Sequence, residues 1–307
     1  MQGGTRRETG VATVLNFLGI YKKGEVQMKV KSIILTWVFV VLAGLLAACG
    51  GGEKAAPSGQ AGTKETKEIT IGATAGPYSD QIKKGIQPIL EKKGYTVKIV
   101  EFNDYVQPNN ALAEGSLNAN VFQHVVYLKK FAKDHNLPIT DALQVPTAPL
   151  GVYSNKHKSL DEVQSGATVT LPNDPTNQAR ALVMLEQFGW IKLKAGIDPT
   201  KASEKDVAQN VKNIQLQPLE AAQLPRSLAD ADYAFVNGNF AIASGLKLTE
   251  ALKLENLPEK YMNIVAVKTA DKDNQITKDI IEAYKSPEFK AVVEKDFQGF
   301  QKPEYLK

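Results

Sequence analysis

From Glu68 onward the chain alternates short β-branched runs with amphipathic stretches of helical period, and this alternation restricts its fold more than any other feature. Strands and helices in that order build an α/β body with a mainly parallel sheet, because a crossover helix has to join each strand to a parallel neighbour. Ile69-Thr70-Ile71-Gly72-Ala73 reads as the first strand. It passes through Gly76-Pro77-Tyr78-Ser79 into a helix with Ile82, Ile86, Ile89 and Leu90 on one face, Ser79 placed to cap its start and Gly94 its end. Residues 96–100 and Val121-Phe122 are the next strands, and Tyr127, Leu128, Phe131 and Ala132 form the inner face of the helix that follows.

The rhythm changes at Val145-Pro146-Thr147-Ala148-Pro149-Leu150-Gly151-Val152-Tyr153, an extended, proline-punctuated piece suited to crossing between lobes. Strands at 167–171, 213–219 and 231–236, with a helix over 176–188 closed by Gly189, predict a second unit. Near Asn237 the chain is expected to return, and the strand 263–267 with helices over 275–297 completes the first unit. The expected division is therefore 68–149 with 238–307 as one lobe and 150–237 as the other. Such a two-lobed α/β body leaves a cleft between its halves, where small ligands bind.

Ahead of this body lies a segment of another kind. Lys29 and Lys31 precede 17 uncharged residues, 32–48, which end Leu46-Ala47-Ala48-Cys49-Gly50. A positive start, an apolar run and small residues before a lone cysteine form a secretory leader over 28–48, too short for a comfortable membrane span. Residues 1–27 have no place in that scheme, and we read them as an upstream extension with the working start at Met28. Residues 49–67 lack hydrophobic periodicity and aromatics, as a flexible tether does. The net charge of +4 belongs to the leader region: six of the 37 Lys and Arg and two of the 33 Asp and Glu fall within residues 1–48, and the rest balance. A nucleic-acid partner is disfavoured on that ground. One cysteine and three histidines exclude a disulfide framework and a cysteine-rich zinc site.

Three segments of the body combine polar groups with a strand end or a helix start. In Leu171-Pro172-Asn173-Asp174-Pro175-Thr176-Asn177-Gln178-Ala179-Arg180, the spacing puts Asn177 and Arg180 on one face of a first helical turn, able to accept from an amine and to grip a carboxylate. The same spacing suits a plain cap at Asp174 or Thr176 with Arg180 in solvent. In Asn120-Val121-Phe122-Gln123-His124-Val125-Val126-Tyr127, the residues Phe122, His124 and Tyr127 can wall an apolar pocket, or His124 can be a satisfied core group. Tyr105 stands at a similar junction. The strand Ala231-Asp232-Tyr233-Ala234-Phe235-Val236 ends at Asn237-Gly238-Asn239, which is either a turn or an amide presented to the cleft.

These stretches, Pro172 to Arg180, Phe122 to Leu128, and Glu220 to Leu228 followed by Val236 to Ala241, resemble the NlpA family of methionine-binding lipoproteins over about 69–306. The resemblance implies a type II-like periplasmic-binding-protein fold that captures L-methionine or a related small amino acid and delivers it to the permease and ATPase of an ABC importer. It implies Cys49 as the lipidated residue and an extracytoplasmic, membrane-anchored location, with no enzyme activity, cofactor or metal. It makes Arg180 and Asn177 the contacts to the ligand backbone, Asn237 a cleft amide, and Tyr105, Phe122, His124 and Tyr127 the side-chain pocket. Two positions depart from the family pattern: Val126 replaces a common proline and Tyr78 a common histidine. A polarisable thioether packs well on aromatic rings, which agrees with these walls. A hydrolase, an adhesion lipoprotein and a metal-uptake protein are the competing readings; the chain has no nucleophile elbow, no P-loop and no clustered metal-ligand set to support the first or the last.

Overall fold

The computed structural model describes residues 67–307, so the expected extension, leader, Cys49 and tether up to Thr66 lie outside the described residues. The chain opens with β1 (Lys67–Thr74), then α1 (Pro77–Gln81), a π-helical turn over Ile82–Ile86 and α2 (Gln87–Lys92). β2 (Tyr95–Phe102), α3 (Gln107–Glu114), β3 (Ala119–His124), α4 (Val125–His135) and β4 (Ile139–Gln144) complete the first pass. The second pass holds β5 (Gly151–Tyr153), β6 (Thr168–Pro172), α5 (Pro175–Gln187), the hairpin β7 (Ile191–Leu193) and β8 (Val207–Asn210), and β9 (Gln215–Leu219). It continues through α6 (Leu224–Ser227), β10 (Tyr233–Val236), α7 (Gly238–Ala243) and β11 (Lys253–Leu254). β12 (Asn263–Lys268), α8 (Gln275–Lys285) and α9 (Pro287–Asp296) close the chain.

Two five-stranded sheets result, ordered β2-β1-β3-β12-β4 and β11-β5-β10-β6-β9. Traced from β9, the second repeats the first: a leading strand (β1, β6) lies between its two parallel successors, and the next strand is one that entered by crossing from the other pass (β12, β5). Both crossing strands pair antiparallel on each side. The sheets are therefore mixed, not mainly parallel as the sequence suggested. The exchange of one strand between passes is the cause, and no local pattern announces it.

The sequence places most of these elements closely. Gly94 and Gly189, at φ +89° and +71°, adopt the left-handed backbone that turns the chain off α2 and α5. Ser79 is not the cap expected of it. The helix begins two residues earlier with Pro77 in its first turn, where a missing N–H costs nothing, and the Ser79 hydroxyl donates to the Gly76 carbonyl at 3.0 Å. Ile82, Ile86 and Leu90 pack with Ile280, Tyr284 and Phe289 against Ile69, Ile71, Val121, Val265 and Val267 of the first sheet. Leu182, Leu185 and Trp190 cover Val169, Leu171, Tyr233 and Phe235 of the second. Each sheet thus has its own buried core, and the lobes can keep their shape while the space between them changes.

Two chain segments join the lobes, and they run side by side. Val145 N–H donates to the Asn263 carbonyl at 2.8 Å, and Glu255 N–H to the Leu150 carbonyl at 2.8 Å. The first, 145–150, joins β4 to β5. Past Asn237 the chain touches both lobes: Ile242 and Leu248 pack on the core of the first, while β11 pairs with β5 of the second sheet as far as Leu254. A two-residue strand has no sequence signature, and the break at Asn237-Gly238 falls between β10 and α7.

Candidate ligand-binding site

The lobes face each other across a narrow pocket, and all seven side chains expected at a ligand site line it. Tyr105, Phe122, His124 and Tyr127 come from the first lobe, Asn177, Arg180 and Asn237 from the second. They stand where strands end and helices begin, because there the backbone turns outward from the sheet and its polar groups are not all consumed by the ladder.

α5 organises the polar wall. Asp174 is its N-cap: one carboxylate oxygen accepts the Asn177 N–H at 3.0 Å and the other the Asn177 Nδ2–H at 2.9 Å. That fixes the Asn177 amide with its Oδ1 turned toward Arg180, whose Nη1–H donates to it at 2.7 Å. His124 Nε2 stands 3.2 Å from the same oxygen. Since His124 Nδ1 accepts the Tyr127 N–H at 3.1 Å, capping α4, the ring proton sits on Nε2 and also points at Asn177. Both lone pairs of Asn177 Oδ1 are thereby taken. The role expected of it, accepting from a ligand amine, is not the one this geometry gives; it orients Arg180 and joins the two lobes.

Arg180 is buried, not solvated. Its Nε and Nη2 grip Glu255 at 3.0 and 2.5 Å, and its guanidinium lies 5.1 Å from the centre of the Tyr261 ring. Both side chains of the pair are under one-tenth exposed, and Glu255 sits on the second crossing, beside Leu150 of the first. With Asn177 and Glu255 accepting, three of the five guanidinium N–H groups are used and two remain for the pocket.

The opposite wall is aromatic. Tyr105 packs on Phe122, Phe240 and Tyr127 with ring centres 5.6, 5.0 and 6.0 Å apart, and His124 meets Tyr261 edge-on at 5.1 Å. The Tyr105 hydroxyl donates to Asn239 Oδ1 at 2.7 Å and the Tyr127 hydroxyl to the Tyr105 carbonyl at 2.9 Å, so these rings are held as well as packed. Between the walls Asn237 Oδ1 is buried without a donor among the described residues. A native protein seldom leaves such an acceptor empty unless something else fills it.

Sequence reasoning missed Tyr78, Thr147, Asn239 and Asn263 on the lining, and Glu255 and Tyr261 behind Arg180. Asn239 was visible as the second amide of Asn237-Gly238-Asn239. The partner of Arg180, 75 residues away, had no local signal.

Burial, reinforced by the nearby Arg180 charge, pushes the His124 pKa from 6.5 down to about 3, with the Asn177 hydrogen bond working weakly the other way. The unfolded chain therefore binds a proton near pH 6.5 that the folded chain refuses until about pH 3. The stabilisation is complete above pH 6.5 and is lost as pH falls through that window. At pH 5 the expected cost is about 2 kcal/mol. Denaturant melts at pH 7 and pH 5 should show wild type losing that much more than His124→Asn, and equal losses would contradict a buried neutral imidazole.

Two lobes exchanging a strand each, with a cleft walled by rings on one side and by amides and an arginine on the other, define a periplasmic-type substrate-binding protein. The chain belongs to the NlpA lipoprotein family, whose model matches residues 69–305. It is 38% identical over 241 residues to the D-methionine-binding lipoprotein MetQ of Escherichia coli K12, covering 77% of this chain and 88% of that one. With the methionine-binding lipoprotein MetQ of Bacillus subtilis it shares 33% over 274 residues, 88% of this chain and 97% of the other. Among solved structures, a nutrient-binding protein from Burkholderia cenocepacia bound to methionine superposes with a TM-score of 0.72 at 45% identity, covering 75% of this chain and 97% of that one.

Proposed function

We propose that this protein is the lipid-anchored, extracytoplasmic component that captures methionine and delivers it to the permease and ATPase of an ABC importer. The observation that carries the ligand is the division of the pocket. Two guanidinium N–H groups of Arg180 and the empty acceptor Asn237 Oδ1 suit the carboxylate and ammonium of an amino acid. The rings of Tyr105, Phe122 and Tyr127 suit a thioether. Relatives named for methionine, and one solved with it, support the same choice. Closing over the ligand removes it from water and lets the closed form signal that the site is filled. Native mass spectrometry of protein purified from cells tests the ligand: a bound species with the mass of methionine is expected, and a different amino acid or a dipeptide in its place would overturn the assignment.

Cys49 anchors the body through acyl chains, each buried methylene contributing about 0.8 kcal/mol of membrane affinity. Cys49→Ala should leave an uncleaved precursor that takes up no labelled palmitate, whereas labelling equal to wild type would contradict the anchor.

A further inference from the structure

We propose that Tyr78 is a specificity-determining contact of this pocket, its phenol donating a hydrogen bond to the ligand's carboxylate beside Arg180 and thereby selecting free amino acids over analogues that lack that group. The inference rests on the methionine reading and adds a residue to it. Tyr78 stands in the first turn of α1, is 1% exposed, and lines the pocket. Its Oη accepts the Ala148 N–H, from the first crossing, at 3.3 Å, which holds the ring and occupies a lone pair. Among the described residues the phenol makes no hydrogen bond as donor, only the one it accepts. Burial pushes the phenol well above its ordinary pKa, so at neutral pH it keeps that proton and remains a donor. A buried donor left without an acceptor is costly, and one facing a cavity points to what belongs there.

Asn237 Oδ1, in the same pocket, is the complementary case, a buried acceptor without a donor among the described residues. An α-amino acid supplies both missing halves: its carboxylate only accepts and its ammonium only donates. Tyr78, Arg180 and Asn237 line the same pocket, so the two donors can face the carboxylate and the acceptor the ammonium.

The test compares L-methionine with L-methioninol, which keeps the ammonium and thioether but carries a neutral hydroxymethyl group where the carboxylate was. Calorimetric titration of ligand-free wild type and Tyr78→Phe gives the preference of each protein for methionine over methioninol. A hydrogen bond to a charged group typically contributes between about 10-fold and 100-fold in binding, so the preference should fall by at least about 10-fold in Tyr78→Phe. Loss of the Ala148 hydrogen bond would weaken both ligands alike and cancel from the ratio. An unchanged ratio in a variant that still binds methionine would overturn the role of Tyr78 alone. A wild type that binds neither ligand would overturn the methionine reading and this inference with it.

Discussion

Arg180→Ala should lower methionine affinity by roughly 30-fold or more and lower the melting temperature at the same time. The two effects have different origins. Affinity falls because the ligand carboxylate loses a buried, charge-assisted partner with two free N–H groups. Stability falls because Glu255 is left buried and unpaired on the second crossing, a change that costs about 3–5 kcal/mol. For a body of this size that corresponds to a melting temperature lower by roughly 10 °C. Arg180→Lys keeps the charge but not the fork that spans Asn177 and Glu255, and should lie between the two. Replacing the pair together, Arg180→Met with Glu255→Leu, separates the effects: a packed apolar pair should recover most of the stability and none of the affinity. Full affinity in that double variant would remove Arg180 from the site.

Gly238→Ala is the second large effect, and it acts through the joint between the lobes. Gly238 packs against the first crossing so tightly that an added Cβ would stand 2.5 Å from both the Ala148 Cβ and the Pro149 carbonyl oxygen. Neither neighbour is a flexible side chain, so the crossing itself has to move. Overpacking of this kind costs about 1–3 kcal/mol and more where backbone must shift, which lowers the melting temperature by roughly 5 °C or more. The displaced groups belong to the site: Ala148 holds Tyr78, and Asn237 and Asn239 flank the glycine. Methionine affinity should fall with stability. Gly94→Ala is the control, since it has left-handed backbone but open space around it, and it should cost about 1 kcal/mol with binding unchanged. Equal behaviour of the two variants would show that the crossing tolerates the extra atom.

The parts of this fold that could be read from sequence are those with local causes. β1, α4, α5 and β12 have continuous apolar runs or a helical face ended by a cap, and each lies within a few residues of its expected place. β5 and β11 are three and two residues long and owe their existence to partners far along the chain, so no pattern marks them. The site divides in the same way. His124, Asn177 and Arg180 sit at a strand end or helix start whose geometry the sequence implies, while the burial of Arg180 depends on Glu255, and the orientation of Asn177 on Arg180, His124 and Asp174 together. Asp174 as cap and Arg180 as a site group were alternatives in the sequence; in the structure Asp174 caps α5 while Arg180 lines the pocket, because the capped amide is what points at the arginine.

If the cleft takes methionine as proposed, rings surround the thioether and Arg180, Asn237 and Tyr78 the charged end. Calorimetric titration of protein stripped of bound ligand tests it most directly, with methionine compared against norleucine, which replaces the sulfur by a methylene, and against alanine, which leaves the aromatic wall empty. Saturable one-to-one binding of methionine is expected, with weaker binding of norleucine and binding of alanine weaker by about 100-fold or more, since each buried methylene is worth about 0.8 kcal/mol and the thioether adds its own contact with the rings. Alanine bound as tightly as methionine, or no heat with methionine at all, would contradict it.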